Sequence, residues 1–102
     1  MSDLETRLAA ATGSDRALDA DLARLVEPQG TGTPPEYTGS VDRALDLVHA
    51  LLPGWSWHVG WNAAGVLPYA TLHRGERLVE AAAPTVPLAL LRACLRARRE
   101  AA

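Results

Sequence analysis

The sequence holds no lysine, phenylalanine or isoleucine, one cysteine and one methionine. It also lacks any apolar run approaching the roughly 18 residues of a membrane span. Each absence narrows the field. A lone cysteine, Cys94, can form neither an internal disulfide nor a thiolate metal cluster, which fits a reducing compartment and leads to the expectation of a cytoplasmic protein. The residues MSDLETRL carry no basic segment followed by an apolar one, so neither signal-peptide secretion nor membrane insertion is expected. All ten basic residues are Arg. Together with the missing Lys, Ile and Phe, this reads as the codon usage of a G+C-rich genome and says nothing of mechanism.

Charge is scarce as well. The formal net charge is −2, which argues against a chain-wide basic footprint for phosphates, so no direct nucleic-acid partner is expected. The charge is unevenly spread: residues 1–50 carry nine Asp/Glu against four Arg, and residues 51–102 three Glu against six Arg. With 102 residues, 48% apolar and 22% charged, the chain suits one self-folding domain around one core. Residues 1–13 are expected as an N-terminal helical extension and 14–102 as the α/β core.

The patterning gives the elements. Ser2 and Glu5 have capping-box spacing for a short helix that Gly13 ends, and Ser14 is placed to cap a second with Leu18, Leu22, Leu25 and Val26 in a stripe. Whether these are one helix or two is left open by the sequence. EPQGTGTPPEYTG, residues 27–39, contains three Pro and three Gly and is a connection tied down by Tyr37. Ser40 caps a third helix whose apolar face is Val41, Ala44, Leu45, Val48, Leu51 and Leu52, stopped by Pro53-Gly54. In WSWHVGW, residues 55–61, the period changes to two, placing Trp55, Trp57, Val59 and Trp61 on one face of a strand. A hairpin loop at 62–65, a second strand in VLPYATLHR and a third in RLVEAA follow; Pro68 lacks an N–H, so the second strand starts near Tyr69 or its first part faces an edge. The last helix starts from Thr85, with Pro87 in its first turn, and runs to about Glu100 with an arginine stripe of Arg92, Arg96 and Arg99 opposite Leu90, Leu91, Cys94 and Leu95. The expected fold is α+β: a three-stranded antiparallel β-meander packed with three to four α-helices in a layered sandwich. Trp55, Trp57, Leu45, Val48, Leu91 and Leu95 are expected to share its core, with Trp61 the most exposed tryptophan.

The segments YTGSVDRALDLVHALLPGWSW and AAAPTVPLALLRACLRAR carry a resemblance. Tyr37, Thr38, Ser40, Asp42, Ala44, Leu45, Leu47, Gly54, Trp55 and Trp57, with Thr85, Leu88, Ala89, Leu90, Ala93, Leu95 and Arg98 at the end, resemble the pattern of the phage αβα-sandwich domain family. The likeness spans about residues 14–99, and Val86 interrupts the family's Thr-Pro. It implies a phage or prophage protein and no particular reaction. By analogy with other small phage α/β proteins, it brings in counter-defence inhibitors of the anti-CRISPR type.

Catalytic chemistry finds little support. Asp46 and His49 lack the further ligands of a metal site, His58 and His73 lack an acid or nucleophile at fixed spacing, and Cys94 sits among apolar neighbours that raise a thiol's pKa. No phosphate loop or dinucleotide fingerprint is present. Trp55, Trp57 and Trp61 lack the interleaved basic residues of a stacking platform. No catalytic residue, cofactor or metal is therefore expected. The expected function is binding: a host or phage protein complex as partner, itself of a nucleic-acid-binding kind in the phosphate-mimic version, with the chain a monomer or homodimer. The partner-binding residues are expected on an acidic surface of Asp15, Asp19, Asp42 and Asp46. The alternatives are a virion or assembly component, and a small enzyme or cofactor binder with a polar pocket around His58 and His73.

Overall fold

A computed structural model of the chain describes residues 3–62, 64–65 and 67–101. Four helices and three strands follow in the order α1 (Asp3–Ala10), α2 (Arg16–Ala23), α3 (Val41–Leu51), β1 (Ser56–Trp61), β2 (Pro68–Arg74), β3 (Arg77–Ala82) and α4 (Val86–Ala101). The strands form one antiparallel sheet in the order β1-β2-β3. The fold is therefore α+β, with helices packed on a three-stranded meander.

Local chemistry accounts for the boundaries. The first two helices are separate, and α2 is capped by Asp15 and not by the expected Ser14: an Asp15 carboxylate oxygen accepts from the Leu18 N–H at 3.1 Å. Ser14 instead lies against Gly39, where a Cβ would meet its hydroxyl at 3.0 Å. The expected cap at Ser2 lies outside the described residues. Ser40 caps α3 through the Arg43 N–H, as its position predicts. Gly54, with φ +86°, then turns the chain out of the helix in a conformation that disfavours a side chain. The β1–β2 loop is longer than expected. The Asn62 N–H bonds the Leu67 carbonyl at 3.0 Å, so the loop closes there and β2 begins at Pro68.

The centre of the molecule is α4, not the sheet. One side of α4 packs on β2 and β3, and α3 and α1 pack on it from elsewhere. Leu88 to Leu91, Ala93, Cys94, Leu95 and Ala97 are consequently all buried. Leu8 of α1 is fully buried in the same core as Leu18, Leu22, Leu47, Val48 and Leu72, so the N-terminal segment is part of the domain's packing. Arg99 reaches back from α4 to the Glu5 carboxylate at 3.1 Å. Among the described residues no helix is long and apolar enough to cross a membrane.

Trp55 is 8% exposed, with the Arg77 guanidinium 6.0 Å from its ring centroid. Val48, Leu91 and Leu95 are buried as expected, and Leu45 is half-buried. Trp57 departs from the expectation, at 42% exposed. The reason is width: a helix is about 10 Å across and strands lie about 4.8 Å apart, so one helix covers two strands. Here α4 covers β2 and β3, α3 packs chiefly on α4, and the inner face of β1 is left without a helix.

Candidate association surface

In the acidic half of the chain, four of the nine carboxylates, those of Glu5, Asp15, Asp19 and Asp21, are wholly or partly withdrawn from solvent and held by other residues of the chain. Asp15 is a half-buried cap. Asp19 is fully buried. One of its oxygens accepts from both the N–H and the hydroxyl of Thr38 at 2.8 Å, and the other accepts from Arg16 at 2.7 Å. Arg16 also donates to the Pro34 carbonyl at 2.7 Å, so this node fastens the Pro/Gly loop to α2. Asp21 is shared by Arg7 and Arg24, and the hydrogen bond from Arg7 holds its carboxyl below the usual range. Of the four residues expected to meet a partner, only Asp42 and Asp46 present exposed carboxylates, and Asp46 is paired with Arg43 at 3.3 Å. Asp19 is a correction: an interior anchor cannot be a contact residue. No local pattern marks it, since a single buried Asp looks like any other until its partner, Thr38, is placed beside it.

The arginine stripe of α4 is likewise structural. Just past the end of β3 the N–H of Ala83 bonds the Pro68 carbonyl at 3.2 Å, and the alternation of an antiparallel ladder then directs the carbonyls of Glu80 and Ala82 away from β2. Arg96 donates to the Glu80 carbonyl at 2.6 Å and Arg92 to the Ala82 carbonyl at 2.5 Å. Arg77, on β3 itself, donates to the Glu100 carbonyl of α4. Arg92 and Arg96 thus occupy two outward carbonyls of the β3 edge, and positive side chains on an edge disfavour pairing with other chains.

The β1 edge is the opposite case. The same alternation, anchored by the Asn62–Leu67 bond, assigns the bonds to β2 to Ser56, His58 and Gly60. The N–H and C=O groups of Trp57, Val59 and Trp61 therefore point out of the sheet, and among the described residues no group is bonded to them. The side chains of these same three residues share the inner face with Leu72, Ala70 and Pro68, their partners across the strand. Trp57 is 42% and Trp61 61% exposed. No Asp, Glu, Lys or Arg occurs between Asp46 and Arg74, so no charged residue lies on β1 or on its loop. An uncharged open edge flanked by two indoles lacks the usual protections against strand addition.

The histidines stand on the other face. His58 and His73 are both exposed, and His58 lies 3.4 Å from the Tyr69 hydroxyl, the Tyr69 ring leaning over Gly60. Cys94 is buried, and loss of solvent pushes its thiol up to about 12. Between α2 and the Pro/Gly loop lies a cavity of about 300 Å³, lined by Ala20, Ala23, Arg24, Glu27, Pro34 and Tyr37 among others. Among the described residues, no group of three or more His, Cys, Asp or Glu is arranged to hold a metal.

No family model, curated protein or solved structure matches the chain.

Proposed function

We propose that this protein acts by protein–protein association and not by catalysis, and that β1 is the surface through which it associates. One observation carries this reading: the outward amides and the indoles of the same strand are both uncovered, while on the opposite edge arginines occupy two carbonyls. An extended segment laid along β1 satisfies the three outward N–H and C=O pairs and buries Trp57 and Trp61 in one step. Main-chain bonds then supply affinity, and the two aromatic anchors supply selectivity. The resemblance to the phage αβα-sandwich domain family supports a sharper version, a cytoplasmic phage or prophage protein that binds a host complex as a counter-defence inhibitor.

The test uses the intact protein and its Val59→Pro variant as baits in a host lysate. Proline at position 59 deletes an outward N–H and leaves the bonds to β2 in place. A protein held by the wild type and lost by the variant is expected. Retention unchanged by Val59→Pro rejects β1 as the surface.

A further inference from the structure

We propose that the strand added to β1 in the free protein is β1 of a second copy, giving a twofold dimer with one continuous antiparallel sheet. The inference rests on reading β1 as the association surface, and it names the occupant. Its basis is the near-palindrome Trp57-His58-Val59-Gly60-Trp61. In an antiparallel pair with its axis at Val59, Val59 meets Val59 of the other copy, and each Trp57 meets a Trp61. These are the residues whose amides point outward, so all three positions become bonded pairs, each exchanging two hydrogen bonds. The side chains of these pairs also share a face. Each Trp57 is brought directly opposite a Trp61, within reach of a cross-strand aromatic contact. On the outer face His58 falls opposite Gly60 and Ser56 opposite Asn62, so no like charges are opposed.

Charge and area both fit a second copy. Self-pairing brings each edge against its own image, which repels wherever an edge carries charge; β1 carries none. With about 250 Å² for a whole indole, exposures of 42% and 61% leave about 250 Å² of tryptophan surface per copy, or about 500 Å² per dimer. The paired backbones, with Val59, His58 and the exposed Leu67, bring the total to the order of 1,000 Å². That is the lower end for a specific interface and fits a weak, reversible dimer. The arginines on the two β3 carbonyls work against pairing at that edge, and a sheet with both edges open would continue into a filament.

Sedimentation velocity of the intact protein, from low to high micromolar concentration, tests this against Val59→Pro and Trp61→Lys, with folding checked by circular dichroism. The wild type is expected to pass from monomer to dimer, and each variant to weaken the dimer by about tenfold or more. The double variant Asp42→Lys, Asp46→Lys, altered on the far-exposed α3 face, is expected to dimerise like the wild type. A wild type that stays monomeric throughout, or a dimer indifferent to both β1 variants, overturns the proposal. If the wild type is monomeric while Val59→Pro still loses its lysate partner, self-pairing alone falls and β1 stands as the association surface. If lysate retention is also unaffected, both readings fall.

Discussion

Replacing Asp19 by Ala separates a buried anchor from a contact surface. Asp19 is fully buried and accepts three hydrogen bonds, two from Thr38 and one from Arg16. Their loss is unequal. The Thr38 N–H is itself buried, and leaving it without an acceptor costs about 1–3 kcal/mol. The Thr38 hydroxyl can turn to the Asp15 carbonyl, already 3.2 Å away, and loses little. Arg16 is about half exposed, so water replaces its ion pair at a cost of roughly 1 kcal/mol or less. The sum is about 1–4 kcal/mol, at its upper end a large share of the roughly 5–15 kcal/mol that holds an ordinary domain together. For about 100 residues this corresponds to a melting temperature lower by roughly 5–25 °C. Thermal and urea unfolding of Asp19→Ala, beside Asp42→Ala as the exposed control, measures it. Asp42→Ala is expected to stay within about 0.5 kcal/mol of the wild type. A loss below about 1 kcal/mol in Asp19→Ala would refute the anchoring role.

The tryptophans should rank by burial. Trp55→Ala is expected to cost about 3–5 kcal/mol in urea unfolding, and Trp61→Ala under about 1 kcal/mol; equal losses would contradict the uncovered face of β1. Arg92→Met with Arg96→Met should open the β3 edge and produce assemblies larger than a dimer in light scattering, and a variant no larger than the wild type would show that the arginines do not protect it. Cys94 should resist a thiol reagent at pH 8 in the folded protein and react once urea is added. Its thiol is raised in the folded state from 9.0 to about 12, so the folded form keeps a proton that the unfolded chain releases. Stability is then fully present below about pH 9 and lost as pH rises toward about 12. Burial raises the Tyr37 phenol in the same direction, so Cys94→Ala should lessen the alkaline loss without abolishing it.

Much of the fold is legible in residue spacing, because the elements are set by local chemistry. Ser40 caps α3, Thr85 starts α4 through the Leu88 N–H, and the period-two run at 55–61 is a strand. What spacing cannot show is which face another element covers. An alternating Trp57-Val59-Trp61 pattern reads the same whether a helix lies on it or not, and only the footprint of α4 on β2 and β3 decides. The same holds for the arginines of α4, which look like a solvated stripe in the sequence and prove to be bonded to Glu80 and Ala82 of an edge sixteen and ten residues back. Asp19 drops out of the expected acidic surface for a related reason, since it meets Thr38 across nineteen residues of chain. Long-range partners turn polar residues from surface into structure, and no local pattern records them.

Amide hydrogen exchange along β1, followed by NMR against protein concentration, tests most directly that this strand is an open edge used for association. At low concentration the amides of Trp57, Val59 and Trp61 should exchange rapidly, while those of His58 and Gly60, bonded to β2, stay protected. As concentration rises, protection should appear at Trp57, Val59 and Trp61 and leave the other two unchanged. Rapid exchange of the three amides at every concentration and with a lysate partner added, or protection already complete in the dilute monomer, would contradict it.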